Sequence, residues 1–212
     1  MVETECQTRD KPGTWHTGTW NTISPEKQRC LTMASAFTHA FSAFALGSVL
    51  QTGKLRKGLI LTGMLSAAMP DLDVIAFWLD IPYEHPLGHR GLTHSILFAA
   101  IWALGIGYLF WRNVDNRDRI RWRIWFYLFL CTASHGVLDA MTTGGRGVGF
   151  FIPLDNDRYF LPWRFIQVSP IRASAFFSEY GLKVLTNEFV TVWLPCMIVM
   201  IIVWMFRQWR KA

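Results

Sequence analysis

The sequence predicts an all-α protein, a polytopic membrane bundle of about five transmembrane helices with an aromatic-rich outer loop. Three observations point there. Apolar stretches near 34–50, 58–79, 94–111, 122–141 and 190–206 each approach the roughly 17–25 residues that a spanning helix needs. The chain is 51% hydrophobic, with 11 Trp and 16 Phe among 212 residues, which is apolar for a soluble domain of this length. Its basic residues gather in alternate connections, the pattern of the positive-inside rule.

Residues 1–32 are polar, with little periodicity and no signal-peptide apolar core. They read as a disordered tail before a membrane-embedded domain at 33–212, and Met33 is a second candidate start. The first apolar segment, ASAFTHAFSAFALGSVL, carries polar residues, as does the fourth, and both also suit buried helices. Lys54, Arg56 and Lys57 fill the loop after the first. The second segment, GLILTGMLSAAMPDLDVIAFWL, holds Pro70 with Asp71 and Asp73 late in it. The connection 80–93 leads to a third helix that Thr93 is expected to cap. Arg112, Arg117, Arg119, Arg121 and Arg123 crowd the next connection. The fourth segment ends in SHGVLD.

The long connection 142–189 contains TTGGRGVGFFIPLDNDRYFLPWRFIQVSP. FFIPL and RYFLPW resemble short extended pieces, and the aromatics and arginines suit an interfacial lid. The last segment, VTVWLPCMIVMIIVWMF, is the most uniformly apolar, and Arg207, Arg210 and Lys211 follow it. With the basic loops in the cytoplasm, the N-terminus, 80–93 and 142–189 lie outside and the C-terminus inside.

The net charge of +6 is accounted for by these segment ends, and no nucleic-acid recognition motif is present. The four cysteines form no CxxC and no zinc-ribbon spacing. Cys131 and Cys196 read as packing residues. Cys6 and Cys30 can pair if the N-terminus is outside.

Ionisable groups inside membrane-length segments are costly and usually have a task. His39, Asp71, Asp73, His89, His94, His135 and Asp139 all fall near the outer ends of the predicted spans, in a topology that rests on Lys and Arg alone. Imidazoles with carboxylates are the ligand set of a zinc-like or manganese-like site. His135 and Asp139, four apart, share one helical face, which suits either a chelating pair or an internal hydrogen bond. Asp71 and Asp73 point about 200° apart on a helix, so both meet one site only if the backbone departs from helix, as Pro70 allows. Asp71 is the firmer ligand. Asp73 is a second ligand, an outer partner or a general base. His89 and His94 lie about 140° apart on a helix, and a loop-then-helix path folds both inward. Arg90 between them suits a phosphate-like anion. His39 alone reads as a core histidine, and its shared membrane face raises it. His16 and His85 stay outside the site.

These residues carry a resemblance. TH at 38–39, PDLD at 70–73, GHRGLTHS at 88–95 and SHGVLDAMT at 134–142 resemble the YdjM family, bacterial membrane proteins described as metal-dependent hydrolases. The stretch GGRGVGFFIPLDNDRYFLPWRFIQVSP resembles that family's segment after the fourth span. The likeness covers roughly 33–175, with its motifs in the same order. More distantly, the family resembles zinc-dependent phospholipase C and P1-type nucleases. On matching positions the resemblance implies His39, Asp71, His94, His135 and Asp139 as metal ligands, with His89 beside them. Those soluble relatives add a free N-terminal residue and a further His/Glu pair. Glu179 and Glu188 have no partnering His here, so one or two ions are expected, zinc first and manganese as the alternative.

The function expected is membrane-bound, metal-dependent hydrolysis of a phosphoester in a lipid or lipid-linked substrate, at the outer face of the bacterial inner membrane. Asp73 is the candidate base, Arg90 offsets phosphoryl charge, and Arg158 and Arg164 are candidates for reading a lipid headgroup. The alternative is a non-enzymatic protein whose His/Asp metal site clamps helices together. A metal transporter would spread its polar residues across the bilayer depth, whereas these cluster at one end.

Overall fold

Helices account for nearly all regular structure in the computed structural model, which describes residues 32–50, 56–112, 118–170 and 177–211. The tail, Cys6, His16, Cys30, Lys54 and Arg117 lie outside the described residues. Helix α1 spans Ala36–Leu50 and α2 spans Arg56–Ala68. A 3₁₀ turn at Met69–Val74 leads to the short α3 at Ile75–Trp78. A second 3₁₀ turn, Leu92–His94, precedes α4 at Ile96–Trp111. Helix α5 spans Asp118–Ala140. Helix α6 at Glu179–Glu188 runs through a π turn at Phe189–Trp193 into α7 at Leu194–Trp209. A two-residue antiparallel pair joins β1 (Thr32–Met33) to β2 (Ser169–Pro170).

Each predicted apolar segment meets a helix, but the five do not qualify equally as spans. Among the described residues, two are long and apolar enough to cross a membrane: Lys57–Trp78, with 22 residues, and Glu179–Trp209, with 31. Helices α1 and α4 are apolar but shorter, at 15 and 16 residues. Helix α5 has 23 residues but opens on DRIRWR and closes on His135 and Asp139. Helix α7 buries none of its side chains and exposes Ile198, Ile201, Ile202, Trp204 and Phe206. Helix α4 exposes Ile101, Leu104, Leu109 and Phe110. Contiguous apolar surface on this scale suits lipid rather than water.

The core lies between α1, α2, α4 and α5. Its buried members are Ala43, Leu59, Ala67, Ala103, Ile124, Tyr127, Leu128 and the free thiol Cys131. Cys196, also free, is partly buried against a smaller cluster of Ala34, Ile166 and Val192. Tyr127 is fully buried and donates to the Ala43 carbonyl at 3.0 Å. Its ring fits because Gly47 and Gly63 lack side chains, and a Cβ on Gly63 would overlap the phenol. Small residues let helices approach in this way. Gly63→Ala is therefore expected to destabilise the fold by about 1–3 kcal/mol through overpacking. Thermal unfolding in detergent measures it, and an unchanged midpoint would show that the phenol has room to move.

Arginines close the end of the bundle remote from the histidines. Arg123 donates to the Leu50 carbonyl at 3.3 Å, and Arg207 to those of Ser48, at 3.1 Å, and Val49. Arg121 donates to the Arg112 carbonyl at 3.1 Å. The last carbonyls of α1 and α4 thus meet cations, which also complement the negative end of the helix dipole.

The connection after α5 is irregular but tied down. FFIPL forms turns rather than an extended piece, and RYFLPW contributes an isolated bridge, Val148–Tyr159. Backbone bonds run from Gly149 N–H to the Arg90 carbonyl (2.9 Å) and from Ile96 N–H to that of Phe150 (3.0 Å). Phe151, Leu154 and Trp163 stay exposed, as an interfacial segment would have them.

Candidate metal centre

Four elements deliver the polar side chains to one end of the bundle. His39 comes from the first turns of α1, Asp71 and Asp73 from the 3₁₀ turn Met69–Val74, and His94 from the 3₁₀ turn Leu92–His94. His135 and Asp139 come from the end of α5. Pro70 opens the break in α2, and the tighter turn sends the two aspartates to different partners.

His39, Asp71, His135 and Asp139 each offer a ligand atom, and these atoms lie within 4.8 Å of one another. His39, His135 and Asp139 are fully buried, while the Asp71 side chain is 13% exposed and marks the approach. Both nitrogens of His39 and both carboxylate oxygens of Asp71 lack a hydrogen-bond partner. Buried polar atoms are seldom left so, and carboxylate oxygens without donors are costly. The Ala67 carbonyl takes the Nδ1–H of His135 at 2.7 Å, which assigns the tautomer and leaves Nε2 with a free lone pair. That Nε2 lies 3.3 Å from Asp71 Oδ1 and 3.8 Å from Asp139 Oδ2. His39 stacks on His135 with centroids 3.6 Å apart. The donor set and its unpartnered atoms fit a divalent cation of the zinc or manganese type.

His94 extends the cluster. Its Nε2 lies 3.0 Å from Nε2 of His135 and 3.4 Å from Asp139 Oδ2. On the other side, its Nδ1 faces Asp73 Oδ2 at 3.2 Å.

Asp73 stands behind the cluster. Its Oδ1 meets Nδ1 of His89, and its Oδ2 accepts from Thr93 Oγ at 2.8 Å and from the Arg90 N–H at 3.0 Å. Thr93 therefore serves Asp73 and does not cap α4. The N-cap is Ser95, whose hydroxyl accepts from the Phe98 N–H at 3.0 Å. His89 does not join the four clustered residues. Its ring packs against Phe77 and Tyr83, and its Nε2 is buried without a partner. Arg90 is fully buried in the left-handed region, at φ 58°, a backbone position held only where surroundings enforce it. Its Nε lies 3.0 Å from Asp139 Oδ2, and its NH1 donates to Thr142 Oγ and the Gly144 carbonyl.

The other predicted residues are farther out. Arg158 donates to the carbonyls of His89 (2.8 Å), Tyr83 (2.6 Å) and His85 (3.2 Å). Arg164 donates to the Thr142 carbonyl at 2.9 Å and covers the Phe160 ring. His85 is exposed, and its Nδ1 accepts from the Leu87 N–H.

One buried carboxylate was not expected here. Glu188 is fully buried and accepts from the Ser35 N–H (2.7 Å), the Ser35 hydroxyl and the Thr38 hydroxyl (2.7 Å). Trp193 Nε1 donates to the same Thr38 oxygen at 2.8 Å. In an α-helix, residues five apart point about 140° away from each other, and the π turn at Phe189–Trp193 lets both reach Thr38. The Ala34 N–H meanwhile donates to Asp139 Oδ1 at 3.1 Å. The entry to α1 is thereby held by two carboxylates from other helices. The sequence signal was an ionisable residue leading into the most apolar segment.

Fold and site together define a helical membrane protein with a buried His/Asp group able to hold a metal ion. The family model described as YdjM inner membrane protein matches residues 33–211, and the chain belongs to that family. It is 35% identical over 179 residues to the inner membrane protein YbcI of Escherichia coli, covering 84% of this chain and 99% of that one. No solved structure matches the chain.

Proposed function

We propose that this protein is a membrane-bound, metal-dependent hydrolase acting on a phosphoester of a lipid or lipid-linked substrate at the outer face of the inner membrane. The observation that carries the proposal is the convergence of four ligand atoms within 4.8 Å, with His39 and Asp71 lacking hydrogen-bond partners. His39, Asp71, His135 and Asp139 would hold the ion, with His94 as a further donor. The ion supplies a Lewis acid and a bound water of pKa near roughly 7.

The chain's own residues do the rest. Asp73 holds His94 and His89 by their Nδ1 atoms, which orients the His94 lone pair toward the cluster. Arg90 balances Asp139 and offers charge to a phosphoryl oxygen. The exposed Phe151, Leu154 and Trp163 seat the outer connection in the headgroup region. No nucleic acid enters this reading.

A structural clamp is the second reading. It is favoured by the burial of His39 on α1 and of His135 and Asp139 on α5, which meet at one point and tie the two helices together. The shallow apolar depression lined by Leu182, Thr186 and Val190 holds none of these groups and serves neither reading. Metal content, melting and hydrolysis of phospholipids and lipid phosphates, measured on one preparation, separate the two. Chelation is expected to lower the melting temperature and abolish hydrolysis. Metal-dependent melting with no turnover on any phosphoester would replace the enzyme with the clamp.

A further inference from the structure

Three arginines converge on one phenol beside the His/Asp cluster. The Arg158 guanidinium lies 4.9 Å from the Tyr83 ring centroid and that of Arg146 lies 5.8 Å from it. Arg90 and the same phenol both border Gly145, where a Cβ would come within 2.5 Å of Arg90 NH1 and 3.3 Å of the Tyr83 hydroxyl. Gly145 and Gly147 have φ of +82° and +83°, a conformation glycine adopts without steric cost. The turn between α5 and the outer connection thus folds back over Arg90.

Two of the three arginines pair directly with carboxylates: Asp139 meets Arg90, and Glu84 pairs with Arg146. Arg158 is met by carbonyls alone. Burial is the main reason its guanidinium lies below the ordinary value; the Asp73 charge opposes the shift, and Arg90 and Arg146 add like-charge repulsion. Two guanidinium nitrogens, Arg90 NH2 and Arg146 Nε, are buried without a hydrogen-bond partner. Burial raises the Tyr83 phenol above its usual value, so its hydroxyl keeps its hydrogen and can donate. Exposure is graded: the Arg90 side chain is inaccessible and that of Arg146 is 36% exposed.

We propose that Arg90, Arg146 and Tyr83 form an oxyanion subsite that seats a phosphoryl group at the outer mouth of the His/Asp cluster. Unpartnered guanidinium nitrogens beside a phenol hydroxyl are what a phosphate oxygen recruits, and Arg90 links the seated group to Asp139. The subsite's place in a reaction rests on the hydrolase reading, whereas its affinity for an anion does not.

The test titrates the full-length protein in detergent with inorganic phosphate and, separately, with phosphatidic acid in the same micelles. Binding is read by calorimetry and thermal shift. Wild type is expected to bind. Arg146→Gln and Tyr83→Phe are expected to bind roughly tenfold more weakly or worse, the loss of one charge-assisted hydrogen bond, with metal content and ligand-free melting unchanged. Arg210→Gln, at the opposite end of the bundle, should bind as wild type does. Arg146-dependent binding of phosphatidic acid alone assigns the subsite to a lipid headgroup, and such binding of both ligands assigns it to the phosphoryl group itself. If Arg146→Gln melts early, Tyr83→Phe decides. Wild-type affinity in both variants, or no binding of either ligand by wild type, overturns the subsite. Arg146-dependent phosphate binding without turnover on any phosphoester keeps the subsite and removes the hydrolase. Turnover with phosphate binding indifferent to Arg146 and Tyr83 does the reverse.

Discussion

Replacing His135 with alanine is expected to strip most of the bound divalent metal from the purified protein, and Asp139→Ala to do the same. Each removes a ligand from a shell whose members lie within 4.8 Å of one another. His135 also carries the tautomer fixed by the Ala67 carbonyl, and Asp139 spans His39, His94, His135 and Arg90. Loss of an outer partner of a metal ligand typically costs about 10–100-fold in affinity, and loss of the ligand itself should cost more. His85→Ala is the control, because that ring is exposed and bonded only locally. Metal-to-protein ratios by elemental analysis give the answer. Equal ratios in all three variants would mean that the cluster is not where metal binds.

Asp73→Asn is expected to weaken metal binding by about 10–100-fold while leaving the protein folded. The sequence allowed Asp73 to be the general base, which predicts a different result: metal retained, and turnover reduced by about 10²–10⁴. Geometry favours the positioning role. Both carboxylate oxygens are engaged, one by His89 and the other by Thr93, Arg90 and His94. An asparagine cannot accept at both positions, and the His94 ring loses the partner that aims its Nε2. Turnover of the variant should therefore recover as metal is raised to saturation. A rate that stays low at saturating metal and wild-type occupancy would restore the base assignment.

Local geometry made part of this site legible in the sequence. His135 and Asp139 sit four apart on a helix, and that spacing alone places both on one face. Pro70 signalled the break that separates Asp71 from Asp73. His39 was singled out only through the topology inferred from basic loops, and it lies stacked on His135. Spacing could not reveal what depends on tertiary contacts. Arg90 adopts a left-handed backbone held by Asp73 and Gly149, and that path decides where His89 and His94 point. Thr93 resembled a cap by residue type, yet its hydroxyl found a carboxylate from another element. Glu188 was set aside for want of a histidine, and its partners are hydroxyls and a backbone amide from the start of α1. Hydropathy located five apolar segments, but helix length also depends on where capping and turns stop the helix, and two of the five reach spanning length and composition.

The distribution of the donors along the chain has a consequence for biogenesis. Helices leave the ribosome in order, and Asp71 arrives long before His135, the imidazole nearest to it. Until α5 is in place, that aspartate has His39 as the one clustered imidazole already made, and the carboxylate of Asp73 waits for the turn that carries His89 and His94. Unpaired carboxylates at the edge of a bilayer are costly, so the nascent chain should hold α2 shallow, near the headgroups, and seat it fully only when α5 docks. Completion of the His/Asp cluster then coincides with the docking of α5, before α6 and α7 are added. A chain truncated before α5 would keep the partners of Asp73 but carry Asp71 without its nearest imidazole.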